Sequence, residues 1–546
     1  MRGGIRSVIR EQGFRGRRAL AWACLALAGC GSAATTHMGQ PGGASVVEAQ
    51  AAKRSDLNAR KDFRAESIYF VITDRFVDGD ARNNKLHGDE YAPGDLFLNQ
   101  GGDFKGLMAN LDHIQKMGFT AIWITPPVLQ PPGAYFAKNA NYRASGYHGY
   151  WAWDFSKVDP HLESPGATYD DLIRACHARG LKIIQDVVCN HGHGVEVGAA
   201  TRWKDKSGYI AGNGEELDFH DDRRNFFHHD GQGLYDLMDF RDDSPEVLDW
   251  LSRVYEKWQD RGVDAFRIDT VGWMKPTFWA GFTDRMHRHR SNFFMFGEAW
   301  TNSDFAWLAS FTRLPGTQGS PMQSGMSMLD MPGSGMGGWG RMENVFKGGD
   351  YQGADEVLRH DSLYRDPTWL VTFLDNHDKP RFNGNGDEGS RQATAVQAKD
   401  ALNWYFTARG IPCVYYGTEV LLQGGSEPDN RRMLGQSGIR ASRSHTMALH
   451  LAFLNRLRAS SAALQGGTQH RVQAGRDHYV FRRHLSDEDA LVLLNKGDRS
   501  LTLAVPVREG KWFDLVTGDE RVAERGTLTV TVPAHDLRVV STRKSR

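Results

Sequence analysis

The sequence carries no excess charge of either sign, since 66 Lys and Arg residues balance 66 Asp and Glu residues over 546 positions. This balance gives no support to nucleic acid or an acidic polymer as a partner. Cysteine is also scarce. Cys176, Cys189 and Cys413 lie within apolar runs, without the spacing of a metal site or of a disulfide framework. We therefore expect buried thiols, and the sequence leaves one bridge open.

Long apolar runs are absent beyond the N-terminus. Arginines recur as far as Arg18, and the apolar segment 19–28 is too short to cross a bilayer. Residues 1–30 end in Leu-Ala-Gly-Cys and resemble a lipoprotein-type signal peptide in which Cys30 becomes the lipidated first residue. An ordinary signal peptide with an incidental cysteine is the alternative. Residues 31–60, rich in Gly, Ala, Ser and Gln, are expected to form a flexible tether.

Apolar strands alternate with helical segments over residues 61–458. This alternation predicts a parallel (β/α)8 barrel, a TIM barrel of the α/β class, in which polar residues at the carboxyl ends of the strands form the active site. The predicted strands cover residues 67–73, 119–124, 181–188, 262–268, 293–296, 327–329, 369–374 and 411–416.

Two regions do not follow the alternation. Residues 192–240 are rich in His and Asp and weakly periodic, which predicts an excursion after strand three. Residues 459–546 contain short alternating strands, which predict a C-terminal antiparallel β-sandwich. The predicted strands of this domain cover residues 478–481, 490–494, 500–505, 528–532 and 537–540.

Acidic residues follow three of the barrel strands, at Asp269, Glu298 and Asp378. Arg267 precedes Asp269 by two positions, so the two side chains share a face of the strand, and the cation keeps the carboxylate ionised. A structural ion pair is the alternative for these two residues alone. Cleavage of a glycosidic bond with retention needs one ionised carboxylate as nucleophile and one protonated acid. A third carboxylate could stabilise positive charge on the sugar ring.

Four segments resemble the signature segments of the α-amylase family of glycoside hydrolases, in the order in which that family has them. They read DVVCNH at 186–191, FRID at 266–269, FGEA at 296–299 and FLDNHD at 373–378. The resemblance implies Asp269 as nucleophile, Glu298 as acid/base and Asp378 as the stabilising acid. It also implies a set of residues that hold the sugar in the cleavage subsite, with Tyr150 stacking on it: Arg267, His191, His377, His148 and Tyr150.

The same resemblance implies calcium at two sites. One is similar to a site of cyclodextrin glucanotransferases and related amylases, and its residues here are Asp78, Asp80, Asn83, Asn84, Gly101 and Asp103. Clustered Asp and Asn oxygens suit this ion, although a plain Asp/Asn turn is the alternative. The second would tie the excursion to the barrel through Asn190, Asp239 and the backbone carbonyl of Trp273.

The activity expected from the resemblance is hydrolysis of internal α-1,4-glucosidic bonds in starch-like glucans or maltooligosaccharides. A cyclodextrin or pullulan hydrolase and a glucanotransferase are alternatives on the same site. A non-catalytic sugar-binding member would lack one of the acids. Where amylases of the family often have Lys-His after the nucleophile, this chain has Gly272 and Trp273, which leaves the product pattern open. We expect a monomer outside the cytoplasm, bound to a bacterial membrane only through a lipid anchor, or else secreted.

Overall fold

The structure is a computed structural model that describes residues 57, 60–136, 142–194, 208–210, 216–230, 233–234, 237–300, 304–334, 341–384 and 392–545. The predicted signal peptide with Cys30, and nearly all of the predicted tether, lie outside these residues. Within them, no helix has the length and apolar character needed to cross a membrane.

The centre of the molecule is a sheet of eight parallel strands that curls into a barrel. In chain order, β1 to β8 are Ile68–Val71, Ala121–Ile124, Lys182–Val187, Ala265–Ile268, Phe294–Gly297, Ser327–Met328, Val371–Phe373 and Ile411–Tyr415. They pair in the order β6-β5-β4-β3-β2-β1-β8-β7. Leu329 forms a β-bridge with Val371. The amide of Asp330 donates a 2.9 Å hydrogen bond to the carbonyl of Val371. These two contacts nearly close the barrel. The predicted (β/α)8 barrel is confirmed.

Local sequence explains where the elements start. Ser244 caps a helix whose first residue is Pro245, and Thr168 and Asp171 form a reciprocal capping box. Strand β7 starts two residues later than predicted because Asp366 caps a 3-10 turn over Pro367–Trp369. The helices are Phe104–Ala109, Leu111–Lys116, Tyr169–His177, Pro245–Asp260, Pro276–His289, Phe305–Ser310, Met331–Ser334, Arg341–Phe346, Gly353–Leu358, Ala395–Thr407, Gly435–Ser442, Thr446–Ala459 and Ala462–Gly466.

The excursion draws on two connections of the barrel. Its four-stranded sheet pairs Val128–Leu129 and Asp154–Val158, which follow β2, with Gly208–Ile210 and Glu216–Asp218, which follow β3. A separate antiparallel pair joins His191–Gly194 to Leu237–Asp239. A short hairpin, Ala134–Phe136 with Arg143–Ser145, also lies in the first connection. The sequence predicts only the second connection, because the strands of the first are short and irregular.

The C-terminal region is antiparallel throughout its described strands. Strands β9 to β16 are Thr468–Ala474, His478–Leu485, Glu488–Asn495, Leu501–Pro506, Gly510–Asp514, Glu520–Ala523, Thr527–Val532 and Asp536–Ser541. A six-stranded sheet, β9-β10-β11-β16-β13-β14, faces the pair β12-β15 across a core that includes Val480, Leu493, Leu503 and Val530. The predicted C-terminal antiparallel domain is thus present. Strands β9, β13 and β14 were not predicted, because many of their side chains are polar and exposed.

The opposite face of the six-stranded sheet packs on the barrel. Tyr479 and Phe481 of β10 contact the ring of Trp404 in the helix Ala395–Thr407, at centroid distances of 5.2 and 5.6 Å. Cys176, Cys189 and Cys413 are buried free thiols, as expected from their apolar surroundings.

Candidate active site

Arg267 is the centre of the site at the carboxyl edge of the barrel strands. It is fully buried, and its Nη1 lies 2.8 Å from Asp269 Oδ1 and 2.9 Å from Asp186 Oδ1. Its Nη2 forms an ion pair of 3.0 Å with Glu298 Oε2. The parallel register explains the meeting, since Arg267 on β4 is the direct partner of Asp186 on β3. One guanidinium therefore holds three carboxylates, and Arg267 and Asp269 share a face as the two-residue period predicts.

Glu298 follows β5 and is held from several directions. Trp300 Nε1 donates to Oε1 at 2.8 Å, and the amide of Thr270 donates to Oε2 at 3.3 Å. Thr270 has a φ of 50°, which is rare for a β-branched residue, so the loop after β4 is strained where it meets the acid. Burial raises the pKa of Glu298, Arg267 opposes that effect, and Asp269 adds to it. A carboxyl with a raised pKa is suited to donating a proton.

Asp378, after β7, is fixed by the loop that follows β8. Arg431 Nη2 lies 3.3 Å from Asp378 Oδ1, and His377 Nε2 lies 3.4 Å from the same oxygen. Arg431 Nε and Asn430 Nδ2 both donate to the carbonyl of His377, at 2.9 and 2.7 Å. Burial and the charge of Glu298 raise the pKa of Asp378 well above its usual range, and Arg431 opposes them.

Three stacked rings, of Tyr150, His148 and His377, lie in the same site. The ring of Tyr150 stacks on His377 at 5.4 Å with an interplanar angle of 16°, and on His148 at 5.7 Å with an angle of 21°. His148 Nδ1 accepts the amide hydrogen of Tyr150 at 3.0 Å. Burial lowers the pKa of both histidines well below the usual value, so both rings are neutral. Three of the predicted sugar-binding residues therefore share one surface.

Asp186 is a member of the site that the sequence did not single out, although it lies inside a signature segment. It accepts hydrogen bonds from Tyr150 Oη at 2.8 Å, from Trp123 Nε1 at 3.1 Å and from Arg267. Burial raises the pKa of Asp186 to about 7 against the opposing charge of Arg267. Since every neighbour named here is a donor, the arrangement suits an ionised Asp186 that holds Tyr150 and Arg267 in place.

Arg431 and Tyr147 are further members that sequence reasoning missed. Arg431 Nη1 donates to Tyr147 Oη at 3.2 Å and pairs with Glu427 Oε1 at 2.6 Å. The guanidinium of Arg75 lies 3.7 Å from the centre of the Tyr147 ring. These residues come from loops after β1, β2 and β8. No local pattern marks Arg431, because an Asp-Asn-Arg turn looks like any solvated turn.

The first predicted calcium cluster is brought together in one loop region. Asn84 Nδ2 donates to Asp78 Oδ2 at 2.7 Å, and Asn83 Nδ2 lies 3.4 Å from Asp103 Oδ2. Gly101 packs on Asn84, since a Cβ there would lie 2.5 Å from Asn84 Nδ2. The carbonyl oxygens Oδ1 of Asn83 and of Asn84 are buried without a hydrogen-bond partner among the described residues, so the loop offers unused oxygens to a cation.

Asp80 differs from the other members of this first cluster. Its carboxylate pairs with Arg82 and, at 3.1 Å, with Lys105 Nζ. In the described part of the chain, no group of three His, Cys, Asp or Glu side chains is placed to hold a metal ion. Any cation here would therefore depend on amide and backbone oxygens as well as on Asp78 and Asp103.

The second predicted cluster contains a contact between the end of strand β3 and the excursion. Asn190 Nδ2 donates to Asp239 Oδ1 at 3.1 Å, and burial raises the pKa of Asp239 to about 7. His191 is buried next to Asn190, and its burial lowers its pKa to about 4. Trp273 lies in the 3-10 turn Val271–Trp273 with its side chain 52% exposed.

The barrel and its edge of carboxylates around a buried arginine define the class of protein, a (β/α)8-barrel enzyme of the glycoside hydrolase type. The family model of the α-amylase catalytic domain matches residues 70–446. The chain therefore belongs to the α-amylase family.

Related sequences include both hydrolases and transferases. An α-amylase of Niallia circulans is 30% identical over 475 residues, which cover 83% of this chain and 84% of that one. A cyclomaltodextrin glucanotransferase of the same organism is 30% identical over 486 residues, covering 84% of this chain and 63% of that one. The protein is therefore an α-amylase family glycoside hydrolase or glucanotransferase. Its sequence identity to the amylase equals its identity to the transferase.

Solved structures give the same picture. The chain is similar to CldA, described as a cyclomaltodextrin glucanotransferase with a three-domain ABC distribution, with a TM-score of 0.74, 27% identity and coverage of 88% of this chain and 99% of that one. It is also similar to an α-amylase of Geobacillus thermoleovorans complexed with acarbose, with a TM-score of 0.68, 25% identity and coverage of 89% and 99%.

Proposed function

We propose that this protein is an α-amylase that hydrolyses internal α-1,4-glucosidic bonds of starch-like glucans through a covalent glycosyl-enzyme intermediate. The observation that carries the proposal is the contact of one buried arginine with both Asp269 and Glu298. Further support is the similarity to the N. circulans α-amylase, 84% of which is covered at 30% identity.

In the first step, Asp269 attacks the anomeric carbon while Glu298 gives its proton to the glycosidic oxygen, so that the bond to the leaving glucan breaks. In the second step, Glu298 removes a proton from water, which displaces Asp269 and returns an α-anomer. The pKa-raising burial of Glu298 supports its role as acid. The Arg267 guanidinium lies 2.8 Å from the Asp269 carboxylate that would attack.

The sugar in the cleavage subsite lies on Tyr150, whose ring is held by His377 and His148. Asp378, His377 and His191 bind its hydroxyls, and Arg267 orders the acids beneath it. Neutral histidines suit this role, since a neutral imidazole both donates and accepts a hydrogen bond.

Calcium is a structural partner in this proposal. Asp78, Asn83, Asn84, Gly101 and Asp103 would hold one ion, and their support is the pair of buried unpartnered amide oxygens. Asn190, Asp239 and the carbonyl of Trp273 would hold a second. When bound, the ion supplies rigidity and charge compensation to the loops around the site.

In this proposal, the protein acts outside the cytoplasm as a monomer. It is either attached to a bacterial membrane through a lipid on Cys30 or secreted. The support is the short apolar segment that ends in Leu-Ala-Gly-Cys.

A glucanotransferase on the same site is the second candidate, favoured by the likeness to CldA. The two differ in whether water or a sugar hydroxyl displaces Asp269. A product profile on starch, maltoheptaose, pullulan and cyclodextrin separates them. Linear maltooligosaccharides that accumulate as fresh α-anomers by NMR support the amylase, whereas cyclic products, or β-anomers formed first, contradict it.

A further inference from the structure

The carboxamide of Gln130 holds the main chain that carries Tyr150. Its Oε1 accepts the amide hydrogen of Trp151 at 2.8 Å, and its Nε2 donates to the carbonyl of Gly149 at 2.9 Å. One side chain thus fixes the peptide units on both sides of Tyr150. The other hydrogen of Nε2 goes to the carbonyl of Val128 at 2.8 Å. Gln130 is 7% exposed, and its amide group has no hydrogen left for a substrate.

Two glycines let the main chain pass this close to the carboxamide. A Cβ on Gly146 would lie 2.7 Å from the Cβ of Gln130, well inside van der Waals contact. Gly149 has a φ of 89°, and a Cβ there would lie 2.2 Å from the carbonyl oxygen of Pro126. The segment 146–149 therefore has the shape of a slot that Gln130 fills.

Gln130 is itself held by an ion-paired turn after the strand Asp154–Val158. Asp159 Oδ2 accepts the amide hydrogen of Gln130 at 2.9 Å. The other carboxylate oxygen of Asp159 lies 2.8 Å from His161 Nδ1, and Glu90 Oε1 lies 3.5 Å from Nε2 of the same ring. Burial lowers the pKa of His161, but the two carboxylates outweigh it and raise the pKa to about 10. The support of Gln130 is thus a charged, partly buried cluster.

We propose that Gln130 is a positioning residue that sets the place and angle of the Tyr150 ring, and through it the sugar in the cleavage subsite. The ring stacks on His377 and His148, and its Oη donates to Asp186 at 2.8 Å. These contacts fix the far end of the side chain, whereas Gln130 fixes the backbone from which it projects. The inference rests on the proposed function, in which a sugar stacks on Tyr150. A misplacement of about 1 Å can cost about a hundredfold in rate.

The test compares Gln130→Met, which removes the whole carboxamide, with Gln130→Glu, which keeps an acceptor for the amide of Trp151. The measurements are kcat and KM on maltoheptaose as a function of pH, together with melting temperatures. Gln259→Glu is the matched control. Gln259 is also buried, and its Nε2 donates to a main-chain carbonyl, that of Met286 at 3.2 Å, in a contact between two barrel helices.

We expect Gln130→Met to lower kcat about tenfold at every pH. KM should change little, because the other sugars of the heptasaccharide keep their contacts. In Gln130→Glu the loss of kcat should grow as the pH rises, since a protonated carboxyl still donates to the carbonyl of Gly149 and an ionised one does not. Gln259→Glu should lower the melting temperature and leave kcat unchanged.

A double variant tests the path through Tyr150. Gln130→Met should have no further effect on kcat in the Tyr150→Ala background. Additive losses overturn the inference, as does wild-type kcat in a folded Gln130→Met protein or an equal loss of kcat in Gln259→Glu.

If Gln130→Met fails to fold, Gln130→Glu decides, and a loss of kcat that does not change with pH overturns the inference. Failure of the proposed function has a different signature, which is wild-type kcat in Tyr150→Ala. That result removes the role that Gln130 would support, and so it overturns the inference as well.

Discussion

Trp300 Nε1 donates a 2.8 Å hydrogen bond to Glu298 Oε1, while the Trp300 ring stays 45% exposed. The indole thus contacts the carboxyl oxygen that does not face Arg267, and it presents an open aromatic surface next to the acid. A bond donated to a carboxylate favours the ionised form and lowers the pKa. Trp300 is therefore a positioning residue that opposes the effect of burial on Glu298.

Trp300→Phe removes this donor and keeps an aromatic ring. Loss of the bond raises the pKa of Glu298, so the acid stays protonated to higher pH. The alkaline limb of kcat/KM should move up by about one pH unit or less, since one unit corresponds to about 1.4 kcal/mol. Trp300→Ala should show the same shift and in addition a higher KM, because it also removes the ring. An unmoved alkaline limb in both variants contradicts the positioning role.

Asp269→Asn should lower kcat by about 10⁴-fold with an unchanged melting temperature, because an amide cannot form the glycosyl ester. Glu298→Gln should lose most of its activity on starch but much less on a maltosyl fluoride, whose leaving group needs no proton. Steady-state rates on both substrates check this. If the two variants lose the same factor on the fluoride, the roles assigned to the two acids are wrong.

Tyr147→Phe removes the hydroxyl that accepts from Arg431 and leaves the ring under Arg75. Arg431 is then less well held, so we expect a loss in kcat of about two- to twelvefold, in line with a net hydrogen bond of about 0.5–1.5 kcal/mol. Arg431→Ala should lower kcat further. It should also raise the pKa of Asp378, so that the acidic limb of the pH profile moves to higher pH.

The control for this chain of contacts is the double variant. Tyr147→Phe should have no additional effect on kcat in the Arg431→Ala background, because it acts through that arginine. Additive losses would show that Tyr147 acts independently of Arg431.

Chelation should lower the melting temperature of metal-stripped protein, and added calcium should restore it, because an ion bound only to the folded state stabilises it by mass action. Asp239→Ala should remove part of this dependence. Trp273→His should retain it, since a backbone carbonyl does not depend on the side chain. Equal melting temperatures of wild type with calcium and with chelator would show that neither loop cluster binds the ion.

Cys30→Ala should move the protein from the membrane fraction to the soluble fraction of cells that express the full chain. The reason is that the variant cannot carry the lipid. Stable attachment to a membrane needs more than one acyl chain, so the wild-type anchor would carry several. Fractionation followed by immunoblotting measures this. Identical partition of wild type and variant contradicts the lipid anchor and favours a secreted enzyme.

Local patterns in the amino-acid sequence were enough to predict the barrel and the positions of its acids. Strand and helix periods extend over only a few residues, and Asp269, Glu298 and Asp378 each follow an apolar strand whose end is visible locally. Arg267 and Asp269 are two residues apart on one strand, so their contact could also be predicted. The signature segments added roles that no periodicity contains.

The residues that complete the site from distant parts of the chain could be identified only from the fold. Asp378 meets Arg431 across 53 positions, and Tyr147 meets Arg431 across 284. The sheet of the excursion joins connections after β2 and β3, and Tyr479 of the C-terminal sheet contacts Trp404 of a barrel helix. Such contacts depend on the register and packing of whole strands, which bring together loops that carry no common pattern. The chemistry of each residue is local, but its partners are set by the way the barrel strands pair and pack.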